Sequence, residues 1–288
     1  MTQPIASDVL VAGGGLAGLV TALEALRAGK TVTVVDRDTP DRLGGLALWA
    51  FGGMALVGTP LQASMKIPDT PDLALRDWMR FADLDPQDEW PRQWARYYVE
   101  HSRTEVYDWL KNEGIKFMPA VNWVERGLQG DGNSVPRYHV VWGTSRELVR
   151  CVVAALHRAN GNGRLKLLHR HRITALDHVG GKVSGAVAVN EDSGEVVLLS
   201  APAVVLSMGV INGGHEECRS NWLQDRPLPA TMLNGAHPHA DGKLHRLVAN
   251  ALGGQITHVG DMWNYAAGFP HPYPHFEGHG LSAIPCKS

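Results

Sequence analysis

Three glycines at a fixed spacing, and one carboxylate downstream of them, carry the clearest chemistry in this sequence. Gly13, Gly15 and Gly18 form a GxGxxG run, and Asp36 stands eighteen residues after Gly18. In such a run the first glycine permits a tight turn, the second lets backbone approach a pyrophosphate, and the third lets a helix pack closely on a strand. A helix that begins here presents free N–H groups and the positive end of its dipole to the phosphates. Asp36 can accept hydrogen bonds from the hydroxyls of an adenosine ribose, and its charge disfavours a 2′-phosphate. These residues imply a dinucleotide, with NADP the least suited; FAD and NAD share the fingerprint, and a ligand-free Gly-rich turn is the competing reading.

Other site chemistries find less support. Eight of the fourteen histidines follow Gly213, and His237 and His239 have an HxH spacing that can suit a metal on a strand, but no HExxH or Cys/His set accompanies them. Surface or loop positions are expected for them, and no metal. Cys151, Cys218 and Cys286 are widely spaced without a CxxC, and no GxSxG is present, so neither a disulfide framework nor a serine nucleophile is indicated. With 27 Lys and Arg against 29 Asp and Glu the net charge is -2, which leaves no basic field for nucleic acid. The expected partner is a small molecule. The N-terminus has no basic region before an apolar run, so a cytoplasmic protein is expected. Leu43 to Met65 carries no charge and has the length of a membrane span, but Gly44, Gly45, Gly52, Gly53, Gly58 and Pro60 suit a chain folded around a ligand better than a spanning helix.

The elements that must position the motif follow from periodicity. Asp8 to Ala12 predicts a buried strand, Leu16 to Ala28 a helix closed by Gly29, and Thr31 to Val35 a second, β-branched strand. A long insertion follows. In it Thr70 and Pro71 open a helix over Asp72 to Ala82, and a longer helix is expected from about Asp88 to Asn112, with Trp90, Trp94, Tyr98, Val106 and Trp109 as the core of a helical subdomain. Tyr138 to Trp142 returns to strand, and Thr144 or Ser145 caps a helix to about Ala159. Arg164 to Leu176, Val183 to Asn190 and Glu195 to Leu199 read as a β-meander, and Pro202 to Ser207 as one more apolar strand.

Further motifs occur in order along the chain. Arg42, Gly44 and Gly45 form an RxGG element, Gly52-Gly53 repeat the glycine pair, Ala203 to Gly209 reads AVVLSMG, and Asp241-Gly242 precedes a helix to Leu252-Gly253-Gly254. With these the chain resembles the fumarate reductase and succinate dehydrogenase flavoprotein superfamily, whose members have two glycine pairs six residues apart, an A-x-x-V-V-L-A-T-G-G strand and turn, and a G-D-G before a helix. The stretch from Asn133-Ser-Val-Pro-Arg137 to Trp142-Gly-Thr144 makes it most similar to the branch related to 3-oxosteroid 1-dehydrogenases. It departs from the pattern at Ala47, where many members have Ser or Thr, and at Val210, where the turn has a second glycine.

The resemblance implies an α/β fold: a Rossmann-like FAD-binding domain with a central parallel sheet, a β-meander and a helical insertion, followed by the start of a substrate or cap domain. The expected boundaries are 1–218 for the first domain, with the insertion at about 61–135, and 219–288 for the second. The family continues well beyond Ser288, so the second domain is expected to be truncated, with weakened FAD binding and little turnover. The implied cofactor is FAD, held without a covalent bond because no His follows the first glycine pair. Its candidate binding residues are Gly13, Gly15, Leu16, Ala17, Gly18, Asp36, Arg37, Gly44, Gly45, Gly52, Gly53, Ile173, Ser207 and Gly209. The implied reaction is oxidation or reduction of a carbon–carbon bond next to a carbonyl, on a 3-oxosteroid-like substrate, with a separate electron acceptor. Arg137, His139, His258, Asp261, Trp263, Asn264 and Tyr265 could face flavin or substrate by their place in the family order, but none is singled out as catalytic. A catalytically silent FAD-binding chain and an NAD-dependent dehydrogenase are the alternatives.

Overall fold

A computed structural model of the chain describes residues 3–122, 132–262 and 268–282. In chain order, β1 (Ile5–Ala6), β2 (Val9–Ala12), α1 (Leu16–Arg27) and β3 (Val32–Val35) come first. Then follow β4 (Gly53–Ala55), α2 (Pro60–Ser64), α3 (Pro71–Ala82), α4 (Glu89–His101), α5 (Trp109–Asn112), β5 (Phe117–Asn122), β6 (Tyr138–Val141) and α6 (Thr144–Ala159). The chain returns through β7 (Leu165–Leu168), β8 (His171–Val179), β9 (Lys182–Asn190), β10 (Val196–Ser200) and β11 (Ala203–Leu206). It continues with α7 (His215–Ser220), α8 (Lys243–Leu252), β12 (Gly268–Pro270) and β13 (Gly280–Ser282).

Two compact units result: Met1–Leu46 with Leu156–Ser288, and Ala47–Ala155. The first is built on a four-stranded parallel sheet in the order β11-β2-β3-β7. All four residues of β3, Val-Thr-Val-Val, are buried, as expected for a parallel strand covered on both faces. Beside it β8, β9 and β10 form the antiparallel meander, extended by β1 alongside β10. One apolar core joins sheet and meander: Leu10, Ala12 and Val35 meet Ile173, Leu176, Ala186, Ala188 and Leu199, and Leu244, Leu247, Val248 and Leu252 of α8 pack against the same cluster. Burying the apolar face of α8 there, at roughly 25 cal/mol per Å² of apolar surface, anchors the helix to the sheet. The α/β architecture with parallel sheet and meander is the one expected.

The sequence predicts one strand over Arg164 to Leu176, and the structure divides it. Arg170 takes a left-handed φ of 60°, so β7 stays in the parallel sheet and β8 leaves for the meander. The break is fixed by the end of β3: the Arg170 and His171 N–H groups donate to the carbonyls of Asp38 (3.1 Å) and Asp36 (2.9 Å).

In the second unit β4, β6 and β5 form an antiparallel sheet, and neither β4 nor β5 is apparent from periodicity. The uncharged segment is no single helix: a short 3₁₀ turn at Gly45–Leu48, β4 and the five-residue α2 share it. Thr70 caps α3 by accepting from the Leu73 N–H. The long helix predicted from Asp88 is interrupted by π-helical turns over Ser102–Asp108.

Its aromatic face requires a correction. Trp90 and Trp94 are 68% and 67% exposed, whereas Ala95 and Val99 are the buried residues of α4. Val99 packs with Val57, Ala74 and Leu75. Trp78 of α3 meets Tyr98 of α4 edge-on (ring centroids 5.7 Å), while the indoles of Trp90 and Trp94 turn outward. Among the described residues no helix is long and apolar enough to cross a membrane.

Candidate functional site

The site is built where β2 ends. Gly13 has φ 109° and donates its N–H to the Val35 carbonyl (2.8 Å), which ties the loop to β3. A Cβ on Gly13 would run into the carbonyl oxygen of Ser207. The Ser207 hydroxyl is held by the carbonyls of Ala12 (3.0 Å) and Gly13 (3.1 Å), so the end of β11 closes the loop from the other side. A Cβ on Gly18 would strike the Gly13 carbonyl oxygen, the close helix–strand approach that only glycine permits.

Gly15 differs from both. Its φ of -70° and ψ of 176° are open to any residue, and a Cβ there would meet nothing within 4 Å. The fold itself does not call for glycine here. The free space lies at the N-terminus of α1, which has no side-chain cap and no acidic residue in its first turn. Four N–H groups of a helix start lack intrahelical partners, and together with the dipole they favour an anion at this point.

The RxGG element sits directly on this loop. Gly44 donates its N–H to the Gly14 carbonyl (2.8 Å), Gly15 and Gly44 form a parallel bridge, and a Cβ on Gly45 would lie 3.4 Å from the Gly15 Cα. At the end of β3 the Asp36 carboxylate accepts from the N–H groups of Gly14 (2.5 Å) and Asp38 (2.7 Å).

One cavity joins these parts. Of the sequence candidates, Gly13, Gly15, Asp36, Arg37, Gly45, Ile173, Ser207 and Gly209 line it. Leu16, Ala17, Gly18 and Gly44 adjoin that loop without lining the cavity. Gly52 and Gly53 belong to the other unit, and there the chain itself explains them: Gly52 has φ 85° and its Cβ would approach the Ser145 nitrogen at 2.6 Å, while one on Gly53 would collide with the Tyr138 ring.

A second part of the lining was missed by sequence reasoning. It comes from His237, His239 and Ala240 to His245, with His171 and Arg172 from β8. The signal available was the Asp241-Gly242 pair; the HxH spacing, with no further ligand set beside it, predicts only surface or loop histidines. Among the described residues no group of three or more His, Cys, Asp or Glu is placed to hold a metal ion.

Charges on this wall are closely paired. Arg37 bridges Glu191 (2.9 Å) and Asp241 (3.0 Å). Burial works against ionisation of Asp241, but hydrogen bonds from the Lys243 side chain and backbone, with Arg37, outweigh it and hold its pKa at about 2. Burial, the Arg37 charge and His237 lower the pKa of His239, which keeps that ring neutral near pH 7. Burial likewise lowers that of His245.

Arg137 and His139, considered as groups that could face flavin or substrate, are instead interior to the second unit. Arg137 pairs with Asp69 (2.8 Å) and Asp77 (2.7 Å), all three nearly inaccessible. His139 is fully buried, donating from Nδ1 to the Arg137 carbonyl (2.7 Å) and accepting at Nε2 from the Thr59 hydroxyl (2.7 Å). His258 and Asp261 are exposed, and Trp263, Asn264 and Tyr265 lie outside the described residues, as does Cys286.

The family model for an FAD binding domain matches residues 8–286. The chain belongs to this family. Two curated relatives are similar over nearly all of it. A KsdD-like steroid dehydrogenase of Mycobacterium tuberculosis is 36% identical over 99% of this chain and 53% of its own length. A KsdD-like steroid dehydrogenase of Mycolicibacterium smegmatis is 35% identical over 98% of this chain and 54% of its own. The chain thus spans about half the length of the curated relatives it matches. Among solved structures, the 3-ketosteroid-Δ4-(5α)-dehydrogenase of Rhodococcus jostii RHA1, in complex with 4-androstene-3,17-dione, superposes with a TM-score of 0.73 at 25% identity, covering 90% of this chain and 56% of that one.

The dinucleotide implied by the glycine loop is therefore FAD, and NAD is not favoured. The residues present fit it: the space beside Gly15, the uncapped start of α1 and the carboxylate at the end of β3 suit pyrophosphate and ribose in turn.

Proposed function

We propose that this chain holds FAD without a covalent bond for an oxidoreductase of the steroid dehydrogenase type, acting on the carbon–carbon bond next to the carbonyl of a 3-oxosteroid-like ketone. The observation that carries the cofactor half is the empty space at Gly15, bordered by Gly45 and by the N-terminus of α1. The reaction half rests on the similarity to the steroid dehydrogenases above. FAD, when bound, supplies hydride exchange with the substrate.

The chain's own residues bind and orient it. Backbone N–H groups at the start of α1 take the pyrophosphate, Gly45 leaves it room, Asp36 takes the ribose hydroxyls, and Ile173 and Ser207 bound the cavity. Gly52-Gly53 belong to the proposed cofactor set through their place in the family order. Residues 1–218 are proposed as the FAD-binding domain and 219–288 as the opening of a substrate domain, of which 237–245 already border the cavity.

A second reading, FAD binding without turnover by this chain, draws support from Arg137 and His139, whose hydrogen-bonding groups are spent on interior partners. One set of measurements separates the readings. The purified protein is expected to be yellow and to release all its flavin on acid precipitation. It is then assayed anaerobically for reduction of a dye by 4-androstene-3,17-dione. Colourless protein that takes up no added FAD would remove both readings; flavin retained on the washed pellet would refute non-covalent binding; a yellow protein without turnover would select the second.

A further inference from the structure

A continuous line of hydrogen bonds crosses the cavity's edge. Gly14 N–H donates to Asp36 Oδ2 (2.5 Å), Asp38 N–H donates to Asp36 Oδ1 (2.7 Å), and Asp38 Oδ2 lies 2.7 Å from His237 Nε2. The His237 ring is oriented from its other side. Its Nδ1 accepts the His239 N–H (3.2 Å), so Nε2 carries the proton and donates to Asp38. The turn that follows is pinned as well, because Ala240 N–H donates to the His237 carbonyl (3.0 Å) and Gly213 N–H to the Ala240 carbonyl (2.8 Å).

Two residues of one strand end thus serve two walls. Asp36 is tied to the glycine loop, and Asp38 to the segment nearly two hundred residues later that lines the same cavity. Asp38 is 6% exposed and His237 12%, so water competes weakly for either group, and a hydrogen bond to a buried charge is among the stronger ones. Arg37, between the two aspartates in sequence, repeats the connection through Asp241.

We infer that the Asp38–His237 pair is a latch that holds the 237–245 wall against the ADP half of bound FAD, making His237 a positioning residue for cofactor retention. This rests on the proposed FAD site. Opening the latch leaves the glycine loop and Asp36 in place but frees the 237–245 wall, so FAD still enters and leaves faster. Asp38 keeps its Thr39 N–H (3.0 Å) and the Arg42 guanidinium (3.9 Å), so a variant at His237 does not strand the carboxylate.

The test compares the parent with His237→Ala, His237→Gln, Asp38→Asn and the exposed-pair control Arg150→Gln. FAD release is followed by the fluorescence gained on dilution, ADP affinity by calorimetry on apoprotein, and fold by the apoprotein melting temperature. His237→Ala is expected to speed FAD release about tenfold, the loss of one charge-assisted hydrogen bond, and to weaken ADP in parallel. His237→Gln, which restores a donor of similar reach, is expected to return release to within about threefold of the parent. Asp38→Asn keeps an acceptor but not the charge, is expected to lie between them, and decides the matter if His237→Ala does not fold. Arg150→Gln is expected to match the parent. If the parent binds FAD and ADP but folded His237→Ala releases FAD at the parental rate, or Gln fails to rescue a faster release, the latch is refuted. A parent that binds neither ligand refutes the FAD site itself.

Discussion

A Cβ on Gly45 would rest in ordinary contact 3.4 Å from the Gly15 Cα, while a Cβ on Gly15 itself would meet nothing within 4 Å. The two glycines therefore answer different needs. Gly45 is favoured by its left-handed φ of 57°, and Gly15 by whatever fills the space at the start of α1.

Gly15→Val is accordingly expected to fold and to lose FAD. The backbone there is extended and the side chain has room, so the melting temperature of the apoprotein should stay within a few degrees of the parent; the branched side chain then occupies the room the pyrophosphate needs. Absorbance of the purified protein near the flavin band and FAD titration of the apoprotein check it. Unchanged FAD affinity would show that the space beside Gly15 is not the phosphate site.

Gly18→Ala should show the reverse pattern. Its Cβ would meet the Gly13 carbonyl oxygen, with the Ser207 hydroxyl at 2.7 Å, so strand and helix must separate. Overpacking of this kind costs typically about 1 to 3 kcal/mol. Urea denaturation of the apoprotein measures it, and a variant as stable as the parent would mean that α1 moves more freely on β2 than the contacts indicate.

Asp36→Ala is expected to weaken FAD by roughly 1 to 3 kcal/mol, the scale of losing hydrogen bonds to a charged group. Part of the loss arises before any ligand binds, because the Gly14 and Asp38 N–H groups give up their acceptor. Asp36→Asn separates the contributions: it can still accept one of those N–H groups and should lie between Ala and the parent in FAD titrations.

The glycine-loop wall of the site was legible in sequence because its parts are local. Gly13, Gly15, Gly18 and Asp36 belong to one βαβ unit, in which turn, helix start and strand end are fixed by neighbours in the chain. Gly44 and Gly45 come shortly afterwards. The 237–245 wall was not legible, because His237 meets Asp38 through a contact that no periodicity encodes. Local pattern also misled at Trp90 and Trp94, where helical spacing of large aromatics suggested a core that Ala95 and Val99 supply. At Arg164 to Leu176 a continuous strand-like run concealed the left-handed Arg170, whose turn is set by carbonyls of the distant β3 end.

Arg137 provides the test of the second unit by itself. Its guanidinium faces Asp69 and Asp77, and those carboxylates are in turn held by the Gln62 side-chain amide (2.9 Å) and by the Ser134 hydroxyl (2.6 Å) and N–H (2.8 Å). Burial alone would favour the neutral form of Asp77, but the Ser134 and Arg137 hydrogen bonds outweigh it and lower its pKa. Its contribution to stability is therefore present above the ordinary carboxylate range and is lost as pH falls through the lowered value. Arg137→Met removes the cation and leaves two buried carboxylates without it, which should cost about 3 to 5 kcal/mol at neutral pH. Asp77 keeps the Arg80 guanidinium (3.1 Å) in that variant, and Asp69 loses its cation; adding Asp69→Asn and Asp77→Asn should recover much of the loss, because both buried carboxylate charges are gone. The loosening should reach the second glycine pair, since β6 carries Arg137's neighbours and pairs with β4 at Gly53 and Val140. Hydrogen exchange at the amides of β4 should rise in Arg137→Met and fall back in the triple variant. Equal stability of Arg137→Met and the parent across pH would mean that these charges are compensated by groups other than one another.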